Sequence, residues 1–105
     1  PQPASAPSAN TTLGVIATNA ALTKEQANKL AQMADDGFAR AIRPAHTMGD
    51  GDLVFALATG GKPGEVQLTT LGAVAAEVMA LAITRAVTQA EGLAGVPAAR
   101  EIRAF

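Results

Sequence analysis

The sequence predicts one small domain of the α/β (α+β) class, and three observations lead to this prediction. The chain has 105 residues, of which 49% are hydrophobic and 16% are charged, so it is long enough for one core and too short for two domains. Two short apolar runs have the length of strands, and a longer segment with helical spacing follows each of them. Such an alternation of strand and helix is typical of α/β proteins.

The first strand is predicted at residues 11–20 (TTLGVIATNA). This run is rich in β-branched residues and carries no charge. Leu13 and Val15 fall on one side of the strand and Ile16 on the other. Apolar side chains on both sides predict a strand that is buried on both faces.

The first helix is predicted from about Lys24 to Arg43. Thr23 and Gln26 have the spacing of a capping box, and Pro44 ends the helix because its ring clashes with a continuing turn. The residues of one apolar stripe follow at helical spacing: Ala27, Leu30, Ala31, Ala34, Phe38 and Ala41. Gly37 lies on or beside this stripe, which predicts a close approach to another backbone.

A loop at residues 44–51 leads to a second strand, predicted at residues 52–59 (DLVFALAT) and again buried on both faces. The glycine-rich residues 60–64 are predicted to form a turn. They lack the residue order of a phosphate-binding loop, which argues against nucleotide binding. Residues 65–69 are interpreted as a third strand or an extended lead-in.

A second helix is predicted from Leu71 to Glu91, with Thr70 as N-cap and Gly92 just beyond its C-terminus. Apolar residues occupy most of its circumference, so other elements are expected to cover it on several sides. Its most apolar part is shorter than a membrane span and contains Glu77. We therefore expect a buried helix and no membrane partner.

Two strands buried on both faces and a largely apolar second helix need more cover than one amphipathic helix supplies. One interpretation is that the chain packs against a partner, either a second copy or the rest of the same gene product. The other is a small self-sufficient α/β domain. Composition leaves both interpretations open.

The composition also excludes several classes of function. Eight basic and nine acidic residues give a net charge of −1, which argues against nucleic-acid binding. The absence of cysteine and the single histidine argue against a zinc site or a histidine metal cluster. We expect no metal and no cofactor, so any catalysis would use hydroxyl, amine and carboxylate groups.

Residues 1–10 contain proline, alanine, serine, glutamine and asparagine, and they have neither the basic nor the apolar region of a secretory signal. They are interpreted as a flexible linker before a domain at residues 11–105. We expect a cytoplasmic location.

Asn10-Thr11-Thr12 lies where this linker meets the first strand. A cut between Asn10 and Thr11 would leave a free α-amine beside the hydroxyl of Thr11. An α-amine has an ordinary pKa of about 7.7–8.0, so it can accept the hydroxyl proton near neutral pH without a histidine. The other interpretation is that these are ordinary residues at the start of a strand, since threonine favours strands.

Asp50-Gly51-Asp52 leads into the second strand. If the backbone is already extended there, both carboxylates lie on one face and can hold an amine or exchange protons with it. The alternative is a glycine-containing turn with two solvated acids. The isolated His46 is interpreted as a hydrogen-bonded structural histidine.

Together these segments resemble the C-terminal portion of the self-processing DmpA-type aminopeptidase and nylon-oligomer hydrolase family. The similarity extends over about residues 10–92. The segments that carry it are residues 10–19 (NTTLGVIATN), residues 37–44 (GFARAIRP) and residues 46–59 (HTMGDGDLVFALAT). Asp50 follows Thr11 by 39 residues.

The resemblance implies an N-terminal-nucleophile hydrolase with an α-β-β-α layered sandwich fold. A precursor would cut itself between Asn10 and Thr11, so that residues 1–10 end the larger subunit and residues 11–105 form the smaller one. Thr11 would be the nucleophile, with Asp50 and Asp52 as supporting acids. The larger subunit would supply a lysine and an asparagine.

The same resemblance implies that processed pairs assemble further, with a tetramer expected, and that the substrate is a peptide or an oligoamide. Two other hypotheses remain. The chain is a noncatalytic interaction module with an intact Asn10–Thr11 bond, or it is a family member that cuts itself but no longer turns over substrate.

Overall fold

The computed structural model describes residues 11–46 and 51–102. Strand β1 (Leu13–Ala20) is followed by helix α1 (Lys24–Ala41), strand β2 (Leu53–Lys62) and helix α2 (Leu68–Gln89), and a short 3₁₀ turn follows at Ala99–Glu101. This order of elements confirms the α/β (α+β) class.

The two strands form a parallel pair in which Leu13 is opposite Leu53 and Thr18 is opposite Ala58. The register shifts beyond Thr18, and Ala20 pairs with Lys62. Gly60 and Gly61 therefore extend β2, whereas the sequence predicted a turn there. Because the strands are parallel, both begin at the same edge of the sheet, and α1 crosses from the end of one to the start of the other.

The core lies between the helices and one face of this pair. Leu30 and Phe38 of α1 are fully buried, and they pack with Ile16 of β1 and Met79 of α2. Alternate residues of the strands point to this side, as the burial pattern of β1 shows. Both helices therefore cover the same face of the sheet.

The prediction that both strands are buried on both faces is wrong for the chain by itself. Leu13 and Val15 of β1 are 65% and 66% exposed, and Phe55 and Leu57 of β2 are 55% and 57% exposed. The reason is that α2 packs on α1 instead of on the opposite face of the sheet. We call the surface formed by Leu13, Val15, Leu53, Phe55 and Leu57 the open sheet face.

The start of α1 agrees with the predicted capping box. The Gln26 N–H donates to Thr23 Oγ1 at 3.1 Å, and the Thr23 N–H donates to Gln26 Oε1 at 2.9 Å. The helix ends at Ala41, two residues earlier than predicted, because Ile42 already has extended dihedral angles.

Gly37 makes the predicted close approach. A Cβ atom at this position would lie 2.5 Å from the carbonyl oxygen of Ala76 and 2.7 Å from Cβ of Met79. The missing side chain therefore lets α1 and α2 pack with their backbones close together.

The predicted limits of α2 need correction. The helix begins at Leu68, with Gln67 as N-cap and Thr70 already inside the helix. No strand forms at residues 65–67, which excludes the third-strand alternative there. At the other end, Ala90 is the C-cap and has an extended backbone, so Gly92 does not follow the helix directly.

Only one side of α2 is buried, at Gly72, Ala75, Ala76 and Met79. Val78 and Leu81 are 49% and 57% exposed, so the expected cover on several sides is missing in the described chain. By length and composition alone α2 is suited to cross a membrane, but core helices of soluble proteins satisfy the same criteria.

Candidate active site

Two sequence-predicted segments meet where β1 and β2 begin. The backbone N–H of Thr12 donates a hydrogen bond to Oδ1 of Asp52 at 3.0 Å, and the N–H of Leu53 donates to the carbonyl oxygen of Thr12 at 3.0 Å. Both bonds lie at the same end of the sheet. Residues that are 40 positions apart in the sequence are therefore direct neighbours in the fold.

The parallel register explains this contact. Leu13 is opposite Leu53, so Thr12 and Asp52 occupy the preceding positions on the two strands. In a continuing parallel ladder, the N–H of Thr12 would bond to the carbonyl of residue 51. The carboxylate of Asp52 accepts this hydrogen bond, so a side chain completes the ladder at the first position.

Thr11 precedes the anchored residue by one peptide unit and is exposed, whereas Thr12 and Asp52 are half-buried. The fold thus brings the segment of Thr11 and the segment of Asp52 together at one edge, as the predicted site requires. The observed hydrogen bond of Asp52 goes to the backbone of Thr12. Asn10 and Asp50, the other predicted site residues, lie outside the described residues.

An open cavity of about 190 Å³ lies beside Asp52. Its wall includes Asp35 of α1, which the sequence reasoning did not select. The cavity is lined by Ala31, Gln32, Asp35, Asp52, Leu53 and Val54. The sequence signal for Asp35 was weak, because a charged residue on an amphipathic helix is usually solvated.

His46 approaches the same acid from the loop after α1. Its Nε2 atom lies 3.6 Å from Oδ2 of Asp35, and its ring centroid lies 6.4 Å from that of Phe38. The side chain is 44% exposed, and the distance exceeds that of a hydrogen bond. His46 therefore makes no hydrogen bond to Asp35, and its role as a hydrogen-bonded structural histidine stays a prediction.

Within residues 11–46 and 51–102, no three histidine, cysteine, aspartate or glutamate side chains are grouped so that they could hold a metal ion. The chemical groups described at this edge are the hydroxyl group of Thr11, the carboxylate of Asp52 and the carboxylate of Asp35. A hydroxyl group one residue from the anchored Thr12 is suited to nucleophilic chemistry once a base is available.

Comparison with known proteins shows the family of this chain. The profile of Peptidase family S58 matches residues 2–100. An uncharacterized aminopeptidase of Mycobacterium tuberculosis is 47% identical over 106 residues, which cover 89% of this chain and 31% of that protein. An uncharacterized aminopeptidase of Mycobacterium leprae is 45% identical over 101 residues, covering 84% of this chain and 28% of that protein.

A 6-aminohexanoate-oligomer endohydrolase of Paenarthrobacter ureafaciens is 37% identical over 81 residues, which cover 67% of this chain and 23% of that protein. The chain spans less than a third of the length of these curated relatives and matches their C-terminal portion. The resemblance to the DmpA-type family is confirmed. The chain belongs to peptidase family S58.

Proposed function

We propose that this chain carries the nucleophile of a self-cleaving hydrolase that acts on peptide or other linear amide bonds. Membership in a peptidase family supports hydrolysis. Relatives that bear the names aminopeptidase and 6-aminohexanoate-oligomer endohydrolase support two substrate classes, the N-terminal residues of peptides and linear oligoamides.

The hydrogen bond between Thr12 and Asp52 is the observation that carries the proposal. It holds the backbone next to Thr11 at the edge where a carboxylate is already fixed. A new α-amine at Thr11 would form within one peptide unit of that carboxylate. Asp52 is therefore suited to orient the amine and to stabilise its protonated form.

In the maturation step, Oγ of Thr11 attacks the carbonyl carbon of Asn10. The new C–O bond replaces the C–N bond between the two residues, and the hydroxyl proton passes to the departing nitrogen. Water then hydrolyses the resulting ester, which leaves a carboxyl group on Asn10 and restores the hydroxyl group of Thr11. The product has a free α-amine at Thr11.

In turnover, that α-amine takes the proton of the Thr11 hydroxyl while Oγ attacks the substrate carbonyl. The substrate amine leaves with a proton, and the acyl group remains on Oγ as an ester. Water hydrolyses this ester and regenerates the enzyme. In maturation, Asp52 would stabilise the nitrogen of Thr11 as it takes up the hydroxyl proton, and in turnover it would orient the free amine. Asp50 is proposed as the second acid from the family resemblance.

The remaining groups of the site are proposed to come from a larger upstream subunit of the same precursor. The curated relatives are more than three times as long as the region that matches this chain, and the open sheet face shows that the described residues lack cover. This subunit would supply the lysine and the asparagine, and the chain alone would be inactive. Processed pairs are proposed to form tetramers.

Intact mass and N-terminal sequencing of the full-length precursor, purified without contact with proteases, test the proposal. The expected result is two pieces, with Thr11 at the new N-terminus. A single chain that stays uncut for days would remove the free amine on which the mechanism depends.

A noncatalytic interaction module is the second candidate, and the exposed apolar residues of β1 and β2 favour it. In that case Thr11→Ala would change neither the size of the purified protein nor the turnover of peptide substrates. The hydrolase proposal instead expects that Thr11→Ala leaves the precursor uncut and abolishes the turnover of peptide substrates.

A further inference from the structure

Helix α2 has one side that is rich in apolar residues and that the described chain leaves open. The helix buries its opposite side against the core. Val74, Val78 and Leu81 on the open side are 50%, 49% and 57% exposed. We call this side the outer α2 face, and its residues are Val74, Glu77, Val78, Leu81, Thr84, Arg85 and Thr88.

The spacing on the outer α2 face suits a second helix packed along it. Val74, Glu77, Leu81, Thr84 and Thr88 follow one another at intervals of three and four residues. This is the spacing of a seam between two helices that lie lengthwise on each other. The hydroxyl group of Thr84 already donates to a carbonyl oxygen of its own helix at 3.1 Å. A helix packed here would therefore leave this hydroxyl group paired.

The two charged residues of α2 are placed symmetrically on this face. Glu77 precedes Leu81 by four residues and Arg85 follows it by four, so each lies about 6 Å from Leu81 along the helix axis. Among the described residues, no ion pair includes Glu77 or Arg85. The face therefore carries a charge pattern that is complementary to itself when it is turned end to end.

We propose that two copies of this chain pair through their outer α2 faces, with the two helices antiparallel. The Leu81 side chains of the two copies would meet at the two-fold axis. Glu77 of each copy would face Arg85 of the other, which gives two ion pairs in one contact. Such a contact uses the same surface on both copies, as two-fold symmetric pairs do.

The other residues of the face are also matched in this arrangement. Val78 and Thr84 lie three residues on either side of Leu81, so Val78 of one copy would face Thr84 of the other. Val74 and Thr88 are related in the same way, seven residues from Leu81. The valine side chains would pack on threonine side chains, and no charge would be buried without a partner.

Other ways to cover the face are less suited to its charges. In a parallel pair, Glu77 would face Glu77 and Arg85 would face Arg85, and both contacts are repulsive. A lipid bilayer would have to accommodate both charges in the middle of the helix, at a high cost. Contact with an unrelated surface of the upstream subunit does not require a pattern that is symmetric about Leu81. The observations therefore favour a second copy.

The inference names a contact for the proposed assembly of processed pairs, and it rests on that assembly. It does not depend on which residue is the nucleophile. Cleavage is followed by intact mass, whereas the contact is followed by cross-linking and sedimentation. Either proposal can therefore fail without the other.

A cysteine at the two-fold axis tests the contact. The chain has no cysteine of its own, and the full-length protein is used with any upstream cysteine replaced by serine. Leu81→Cys is expected to form a disulfide between two copies under mild oxidation. Thr69→Cys, exposed on the same helix but outside the outer α2 face, is the matched control. We expect Leu81→Cys to link at least about tenfold faster than Thr69→Cys, and equal rates would overturn the proposal.

A charge exchange tests the pairing of Glu77 with Arg85. Glu77→Arg alone places two pairs of like charges in the contact, and we expect it to raise the dissociation constant at least about tenfold. Adding Arg85→Glu restores opposite charges at both places, so the double variant is expected to assemble like the wild type. Glu65→Arg, the same change of charge at an exposed residue outside α2, is the control and is expected to assemble normally. Sedimentation velocity over a range of protein concentrations measures the assembly.

Three results would overturn the proposal. If the double variant does not restore an assembly that Glu77→Arg weakens, the two charges do not face each other. If Glu77→Arg and Leu81→Asp leave the assembly unchanged but lower the free energy of unfolding, the upstream subunit covers the face. If the wild-type protein floats with phosphatidylcholine vesicles and Leu81→Asp does not, the partner is a lipid surface.

Discussion

The backbone N–H of Thr12 donates a hydrogen bond across the sheet to Oδ1 of Asp52, which lies 40 residues further along the sequence. The distance between the nitrogen and Oδ1 is 3.0 Å. A short polar residue at the start of β2 thus anchors the start of β1. The residue so anchored is the neighbour of the candidate nucleophile Thr11. This relationship gives Asp52 two separable contributions, its hydrogen bond and its charge.

Substitutions at Asp52 separate these contributions. Asp52→Asn keeps an acceptor oxygen for the Thr12 N–H but removes the charge, whereas Asp52→Ala removes both. We expect each variant to slow cleavage of the Asn10–Thr11 bond by roughly 100-fold or more, because each lacks the carboxylate that stabilises the nitrogen of Thr11 as it takes up the hydroxyl proton. Cleavage is followed by intact mass over time.

Only Asp52→Ala is expected to lower the free energy of unfolding, by about 1–2 kcal/mol, because it leaves the N–H without a partner. Urea unfolding of an uncut Thr11→Ala background measures this difference. Wild-type cleavage by Asp52→Asn would show that the hydrogen bond alone matters and that the charge has no catalytic role.

Thr11 and Thr12 are expected to differ in their effect on processing. Thr11→Ala removes the attacking oxygen, so the full-length precursor is expected to remain a single chain. Thr11→Ser keeps a hydroxyl group and is expected to cut at a reduced rate. Thr12→Val is the matched control, because the contacts described for Thr12 use only its backbone.

Gel migration and N-terminal sequencing distinguish these variants. If the Thr11→Ala precursor is still cut, or if the Thr12→Val precursor is not cut, the nucleophile is a residue other than Thr11.

Gly37→Ala is expected to destabilise the protein. Alanine alone would favour the helix by about 1 kcal/mol, but its Cβ would lie 2.5 Å from a backbone oxygen of Ala76, which cannot move away as a flexible side chain would. The helices must separate, and we expect a net loss of roughly 1–3 kcal/mol.

Gly61→Ala is the matched control for Gly37→Ala, since its nearest neighbour would be a side-chain oxygen at 3.7 Å. Thermal and urea unfolding of the full-length protein give the comparison. Equal stability of both variants would mean that α1 and α2 do not require this close approach.

The open sheet face is expected to be buried in the complete protein. Phe55 is 55% exposed in this chain. If another layer covers the face, Phe55→Asp buries an unpaired charge and is expected to destabilise the full-length protein by more than about 2 kcal/mol. A solvated face would limit the change to about 0.5 kcal/mol.

Thr59→Asp is the comparison variant for Phe55→Asp. Thr59 is exposed, and it lies on the same face of β2 as Phe55, toward the far end of the strand. We expect urea unfolding to show a small change for this variant. A small change for Phe55→Asp as well would indicate that water reaches the face in the complete protein.

His46 is expected to contribute little to stability. Its contact with Asp35 is long and about 40% exposed on both sides, and such surface pairs contribute about 0–1 kcal/mol. His46→Ala and Asp35→Asn should each shift the free energy of unfolding by no more than this amount in a denaturant titration. A loss of several kcal/mol would show that the pair is buried in the complete protein.

The features that sequence reasoning predicted correctly depend on residues close together in the chain. The strand-helix-strand-helix order follows from apolar spacing, and the cap at Thr23 and Gln26 follows from two polar residues three positions apart. The close approach at Gly37 follows from a glycine in an apolar stripe. Short-range backbone and side-chain geometry is sufficient for each of them.

The limits of α2 could not be predicted in the same way. Thr70 is a favourable N-cap residue, but Leu68 and Leu71 both pack against the core. Their burial extends the helix by one turn at its start, so Thr70 lies inside it. Packing between distant segments outweighed a local preference of about 1 kcal/mol.

The tertiary structure also decided which faces are covered. Apolar side chains on both sides of β1 and β2 predict burial in the complete protein, but they do not identify the residues that cover each face. In this chain both helices pack on one face, which leaves the other open. The contact of Asp52 with Thr12 depends on the strand register, which is determined by packing between residues 40 positions apart.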